Sequence, residues 1–231
     1  MSQIKAVFFD AGGTLFSVRP SVGEIYSRIA QKYGMHTQPE LIEKFFREEF
    51  SKRDKLTAIE AHSNEKNEKE WWKNLVRTVF EKAVPLRRFD SFFEELYDVF
   101  ATEEVWALYP DVLGVLKELR KRRFLTGIIS NWDARLFTIC RGMKIEPYFD
   151  FILASAVVGF SKPDSRIFNR ALMLVGVSAG EALHVGDSLE NDYSGARHAG
   201  LRAVLISRNG SALTPDLLSI KSFAQLSDLI V

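Results

Sequence analysis

Ile4–Phe16 reads IKAVFFDAGGTLF, an apolar run rich in aromatic and β-branched residues that stops abruptly on Asp10 and is followed by Gly12, Gly13 and Thr14. Such a run predicts a strand buried on both faces, as in the middle of a parallel sheet. Ligands of open parallel sheets bind at the carboxyl edge of the strands. An Asp delivered there by a rigid strand is therefore placed to act as nucleophile or metal ligand. Asp and Gly are also ordinary turn residues, so the stretch alone leaves open an Asp that only begins a Gly-rich turn.

Working outward, 231 residues are enough for one good core and a smaller second module, and 46% hydrophobic with 26% charged residues is the balance of an ordinary globular protein. Lys plus Arg (31) nearly equals Asp plus Glu (30), which gives no basic excess to attract nucleic acid and makes a small ligand the better expectation. No apolar stretch is long enough to span a bilayer, so no membrane role is expected. A single cysteine, Cys140, forms no internal disulfide, and no basic-then-apolar leader precedes the first strand. Together these predict a reducing, cytoplasmic setting. Cys140 lies in the helix-like run LFTICRGM, where a packed thiol is the expectation.

From about Pro20 to Phe100 the pattern is helical. Ile25, Ile29 and Tyr33 share a face before Gly34 stops it, and Pro39 opens a helix with Leu41, Ile42, Phe45, Phe46 and Phe50. Asp54 to Lys69 reads as a loop or frayed helix. Trp71, Trp72, Leu75, Val76, Val79 and Phe80 mark a third helix, and Phe89, Phe92, Phe93, Leu96, Tyr97 and Phe100 a fourth. The aromatics fall at core spacing, although one of Trp71 and Trp72 could face a neighbouring module. After Pro110, helix and strand alternate. Strands are expected at Leu125–Ile129, Phe149–Ala154, Ala182–Val185 and Arg202–Ile206, with helices between them, including one over Asp192–Gly200. That alternation predicts a parallel α/β sheet with right-handed crossovers.

The strand ends form a set. Asp10, Ser130 with Asn131, the Ser161–Lys162–Pro163 loop and Asp187 of GDSLEND all lie at, or just beyond, the carboxyl ends of predicted strands. A carboxylate nucleophile, a small hydroxyl, a cation and further acids are the parts needed for phosphoryl transfer. Ser130 and the backbone amides near Ala11 and Gly12 can donate to phosphate oxygens, Lys162 can offset charge, and Asp187 with Asp192 suits Mg²⁺. His184 sits on a predicted core strand, where packing is the expected role. Arg19 and Arg135 lie near strand-end loops within possible reach of substrate. Trp132 and Asp133 are expected to cap the next helix or to meet the helical module.

These four elements, DAGGT, IISN, SKPD and GDSLEND, resemble in kind and in order the motifs of the haloacid dehalogenase-like hydrolase superfamily. The resemblance spans the chain, and the Trp71–Trp72 pair further resembles one subgroup of that family. It implies a Rossmann-like α/β core over 1–17 and 104–231, with an inserted helical C1 cap over 18–103. Hinges are expected near Phe16–Pro20 and Thr102–Pro110. It implies that Asp10 attacks phosphorus to give an aspartyl-phosphate, that Ser130 and Asn131 bind the phosphoryl group, and that Lys162 stabilises charge. Mg²⁺ would be held by Asp10, the Gly12 carbonyl and Asp187, with Asp192 a direct or water-mediated ligand. The implied substrate is a small phosphorylated molecule.

One position departs from the pattern. The family's phosphatases carry a second Asp, the general acid/base, where this chain has Gly12. Loss of such a group removes about 10²–10⁴-fold of rate. Three readings follow: a phosphohydrolase that manages without that Asp, a weakly catalytic or non-catalytic binding protein, and a 2-haloacid dehalogenase, whose first motif resembles DAGGT. The acidic pair Asp187 and Asp192 favours a metal and thus the first.

Overall fold

The computed structural model describes residues 3–57, 64–208 and 217–230. Strand β1 (Ala6–Phe9) is followed by the short β2 (Phe16–Val18) and then by four helices, α1 (Val22–Gln31), α2 (Pro39–Thr57), α3 (Glu65–Glu81) and α4 (Phe89–Val99). After β3 (Trp106–Leu108), helix and strand alternate through α5 (Val112–Lys121), β4 (Leu125–Ser130), α6 (Arg135–Gly142), β5 (Phe151–Ala154) and the single turn α7 (Ser155–Val158). Then come α8 (Ser165–Val175), β6 (Ala182–Gly186), α9 (Gly195–His198), β7 (Arg202–Ile206) and β8 (Ser219–Ile220).

Six strands form one parallel sheet in the order β5-β4-β1-β6-β7-β8. The Rossmann-like α/β class is as expected. Successive side chains of β1 point to opposite faces, and both faces are covered. Val7 and Phe9 join the core under α5 and α6, while Ala6 and Phe8 join the core under α8 and α9. Phe9 meets Phe223 edge-on at 5.4 Å, and Phe8 meets Phe151 at 5.2 Å. Helices α1 to α4 build a third core of their own around Tyr26, Phe80, Phe92 and Phe93. Ser21 Oγ accepts from Glu24 N and Asn64 Oδ1 from Asn67 N, so the first turns of α1 and α3 are capped by side chains.

Several expectations change in detail. The segment read as a loop or frayed helix over Asp54–Lys69 contributes the end of α2 and the start of α3; 58–63 lie outside the described residues. The Asp192–Gly200 helix is a π-helical turn over Leu189–Ser194 followed by the one-turn α9. The strand expected from Phe149 begins at Phe151, and β8 adds a sixth strand too short for an alternating pattern to reveal. The two expected hinges pair with each other: β2 and β3 form an antiparallel ribbon, Phe16 opposite Leu108 and Val18 opposite Trp106. Both connections to the helices therefore leave the sheet as one ladder.

Candidate active site

The central strands β4, β1 and β6 are adjacent and parallel, so their carboxyl ends converge on one rim. Asp10 immediately follows β1, Ser130 ends β4, and Asp187 immediately follows β6. The loop between α7 and α8 brings Lys162 over the same rim. Its ammonium donates to Asp10 Oδ1 at 2.7 Å and to Asp192 Oδ1 at 2.6 Å, and Ser130 Oγ donates to Asp10 Oδ1 at 2.9 Å. Residues 120 and 152 positions from Asp10 in the chain thus meet on one of its oxygens. Lys162 and Ser130 are both almost fully buried.

Two residues hold this cluster in place. Asn131 closes a two-point clamp on the Lys162 backbone, its Nδ2 donating to Lys162 O at 2.9 Å and its Oδ1 accepting from Lys162 N at 2.7 Å. Asn131, expected at the phosphate, therefore engages the lysine loop. Asp192 Oδ2 accepts from Ser188 N at 3.0 Å, and its Oδ1 is shared by Lys162 and His184 Nε2 (2.9 Å). With those bonds in place Asp192 is chiefly an anchor for Lys162, which suits a water-mediated approach to a metal better than a direct one. Gly186 admits this arrangement, because a Cβ there would lie 2.1 Å from Asp192 Cγ.

His184 is fully buried, as a packed histidine should be, yet its ring reaches Asp192. Burial lowers its pKa against the pull of Asp192, which favours the uncharged ring. Nε2 lies 2.9 Å from Asp192 Oδ1, and Nδ1 has no partner among the described residues. A buried polar group on a core strand needs a partner, and that requirement was the signal in the sequence for this contact.

The first motif's loop is shaped by two glycines. Gly13 has φ +76°, and a Cβ there would lie 2.2 Å from Asp187 Oδ2, so the backbone lies directly against that carboxylate. Gly12 lies under Trp132, whose Cζ3 would be 3.0 Å from a Cβ at this position. The Trp132 ring packs against Phe16 (5.8 Å) and Trp106 (5.1 Å). Space that an Asp side chain would take is thus bordered by an indole.

The electrostatics follow from three carboxylates facing one ammonium. Burial alone would lower the Lys162 pKa, but Asp10 and Asp192 outweigh it and hold the ammonium above its ordinary value. Asp192 is likewise held below the carboxylate range: Lys162 and His184 overcome its burial. Asp10 is raised by desolvation, with Lys162 opposing and Asp192 reinforcing. Asp187 opens on a cavity, but protein atoms crowd it; that desolvation, with repulsion from Asp10 and Asp192, raises it well above its usual value. Ligand oxygens of Asp10, Asp187 and Asp192 all lie within 4.8 Å of one another, a donor set of hard oxygens with surplus negative charge that fits a divalent cation.

The rim opens into a cavity of about 850 Å³ that the helices α1 to α4 close from above. Trp71 and Trp72 both line it, so neither is purely core. Arg135 also lines it, paired with Asp133 through Nε at 2.9 Å and stacked 3.6 Å above the Tyr97 ring. Asp133 does both things expected of it: Oδ1 caps α6 at Arg135 N (3.0 Å), and Oδ2 accepts from Tyr97 Oη on α4 (2.8 Å). Glu65 of α3 accepts from Ala134 N at 2.8 Å beside it. In the sequence Tyr97 reads only as a core-spaced aromatic of the fourth helix, and Glu65 resembles any polar residue of a helix end. Arg19 is exposed, and Cys140 is fully buried.

Comparisons with known proteins agree with this architecture. A family profile described as "Hydrolase: haloacid dehalogenase-like hydrolase" matches residues 4–200. Among curated relatives, haloacid dehalogenase-like hydrolase domain-containing protein 3 of Danio rerio is 33% identical over 213 residues, covering 91% of this chain and 88% of that one. The Homo sapiens protein of the same name is 31% identical, over 88% of this chain and 82% of its own. This is the subgroup to which the paired tryptophans pointed. Among solved structures, a HAD phosphatase from Thermococcus onnurineus superposes with a TM-score of 0.70 at 27% identity, covering 98% of each chain. A 2-haloacid dehalogenase from Pseudomonas syringae pv. Tomato DC3000 gives 0.66 at 25% identity, with 99% and 98% covered. Profile, relatives and fold coincide over nearly the whole chain, and the chain belongs to the haloacid dehalogenase-like hydrolases.

Proposed function

We propose that the protein is a Mg²⁺-dependent phosphohydrolase that acts on a small phosphorylated compound through an aspartyl-phosphate on Asp10. The observation that carries this reading is the acidic trio Asp10, Asp187 and Asp192 with a single buried ammonium, Lys162, on two of its members. An excess of carboxylate over ammonium suits a site that receives a cation, whereas dehalogenation needs none. The residues that would hold the ion are Asp10, the Gly12 carbonyl and Asp187, with Asp192 reached through water; when bound it would offset charge on the phosphoryl oxygens.

In this mechanism the Asp10 carboxylate attacks phosphorus in line with the leaving oxygen, which departs with its electron pair. Ser130 Oγ, already aimed at Asp10, turns its proton to a phosphoryl oxygen. Lys162 stays on Asp10 and balances the incoming anion. Water then attacks the phosphorus, the bond to Asp10 breaks, and inorganic phosphate is released. With Gly12 in place of an Asp, neither half-reaction has a side-chain proton carrier at that position.

The four helices over 18–103 serve as the cap and 1–17 with 104–231 as the catalytic core, with the β2–β3 ribbon as the flexible joint. Tyr97–Asp133 and Glu65–Ala134 would be the contacts that hold the cap closed. A single buried cysteine accords with a reducing, cytoplasmic setting.

A second reading, 2-haloacid dehalogenase, draws support from Gly12 beneath Trp132, since ester hydrolysis lacks its acid there. Turnover of aryl phosphates, a phosphonate and a 2-haloacid with and without Mg²⁺ separates them. Metal-dependent phosphate release abolished by Asp10→Asn is the expected result. Metal-independent halide release would establish the second reading, and silence on every substrate a binding protein of the same fold.

A further inference from the structure

The cavity above Asp10 is polar at its floor and along the α3 side, where Asn67, Glu68, Glu70 and Asn74 line it. Its upper walls carry aromatic rings, among them Phe46, Phe50, Trp71 and Trp72, with Trp106 and Trp132 on the side toward Gly12. Rings that satisfied each other completely would be fully buried, but all six keep part of their surface accessible. They are also braced. Phe50 stacks on Trp72 at 6.0 Å and on Phe46 at 5.6 Å, and Trp71 meets Trp72 edge-on at 4.9 Å. The aromatic part of the wall, a preformed set of flat faces, has little to offer a sugar's hydroxyls, which would lose water where they meet it. It suits a planar apolar group of comparable size.

The second observation is chemical. The position beside the nucleophile that would protonate a leaving oxygen is Gly12, and Trp132 borders the space around it. Without a proton donor there, the leaving oxygen must depart as an anion. That is slow for an alkoxide and fast for an oxygen whose charge is spread into an aromatic ring.

Both observations select the same molecules. Resting on the phosphohydrolase reading, we infer that the substrate class is the aryl-type phosphate monoester, with its ring against the aromatic wall and its phosphoryl group on Asp10. Asp10 Oδ forms a bond to phosphorus, and the phosphorus–aryloxygen bond breaks with its electron pair on the aryl oxygen. The aryloxide takes a proton from water. A second water then attacks phosphorus, releases inorganic phosphate, regenerates the Asp10 carboxylate and yields its proton to solvent. The net change is ester plus water to phenol plus phosphate.

The test compares, with Mg²⁺ present, a series of ring-substituted phenyl phosphates, glycerol phosphate, a hexose phosphate and acetyl phosphate. Acetyl phosphate has an acidic leaving group but no ring. The expected result is kcat/KM for phenyl phosphates about 100-fold or more above the alkyl and sugar esters, rising with the acidity of the phenol. Phenylphosphonate should inhibit about tenfold more tightly than methylphosphonate. Trp72→Leu, or Phe50→Leu if that variant fails to fold, should raise KM for phenyl phosphate by a larger factor than KM for acetyl phosphate. Equal kcat/KM for aryl and sugar esters, or equal inhibition by the two phosphonates, overturns the inference. So does a rate independent of phenol acidity, the outcome if Glu68 or Glu70 on the α3 side of the cavity delivers a proton. Turnover of acetyl phosphate without aryl preference removes this inference alone. No turnover of any of these compounds removes the phosphohydrolase reading as well.

Discussion

Replacing Gly12 by Asp puts a carboxyl group where the family's phosphatases keep one, at a place this fold has filled with an indole. A Cβ there would sit 3.0 Å from Trp132 Cζ3. Carbon atoms pack comfortably at about 3.5–4.0 Å, so the ring must retreat by roughly 0.5 Å or more. Phe16 and Trp106 stand behind it at ring separations of 5.8 and 5.1 Å. Overpacking of this kind costs about 1–3 kcal/mol. Against that, a positioned proton donor contributes about 10²–10⁴ in rate, or roughly 3–5 kcal/mol of barrier. Gly12→Asp is therefore expected to lower the thermal midpoint while raising kcat/KM toward an alkyl phosphate by one to several orders of magnitude, about 10–10³-fold once displacement of the ring is allowed for. Adding Trp132→Phe should restore much of the midpoint and enlarge the gain. Aryl phosphates, which need no proton, should change little. The assay is phosphate release from matched alkyl and aryl esters, with a thermal melt on each variant. If the double variant is folded and still hydrolyses the aryl ester but gains nothing on the alkyl ester, the explanation of Gly12 as a missing acid is wrong.

Lys162→Met removes the ammonium that separates Asp10 from Asp192, and should cost about 3–5 kcal/mol in a urea titration as well as activity; an unchanged midpoint would refute the buried-pair assignment. Asp133→Ala leaves the Arg135 guanidinium unpaired over the Tyr97 ring and should destabilise far more than Tyr97→Phe, which deletes one hydrogen bond worth about 1 kcal/mol. Equal losses by denaturation would show that the pair is not coupled. The Cys140 thiol, fully buried and pushed up to about 12 mainly by that burial, should ignore a thiol reagent at pH 8 until the protein is unfolded. Reaction of the native protein on mixing would contradict this. Glu49 accepts from Lys52 at 2.8 Å and Lys82 at 2.6 Å, which lower its pKa from 4.5 to about 2. A lowered carboxyl pKa stabilises the fold above the unfolded value and is lost as pH falls from 4.5 toward 2. Glu49→Gln should flatten the melting temperature over that window, and an identical acid profile would remove Glu49 from the account.

Much of this molecule could be read without coordinates, because the relevant signals are local. The run before Asp10 alternates between two cores, Ala6 and Phe8 against Val7 and Phe9, so its uniform apolarity already marked a strand covered on both faces. Helices α1 to α4 repeat at helical spacing, and three of the four motifs sit where a strand must end, while SKPD follows the single turn α7 after β5. The β2–β3 ribbon was not legible: its three-residue strands pair Phe16 with Leu108 across the entire helical insert, and no local period records such a pairing. The π-helical turn at Leu189–Ser194 was hidden for a similar reason, since its apolar and polar residues suit an α-helix equally well.

The chain alone determined the class of sheet, the helical insert and the acidic, hydroxyl and basic residues at the strand ends, because strand and helix periods and chain-order motifs are properties of neighbouring residues. Only the folded molecule decided which atom each of those residues touches. Asn131 turns to the Lys162 backbone, Asp192 divides itself among Lys162, His184 and Ser188, and Trp132 borders Gly12. Such contacts join residues far apart in sequence, and they are chosen by packing volume and by the need of buried polar atoms for partners, quantities that exist only after the layers have closed.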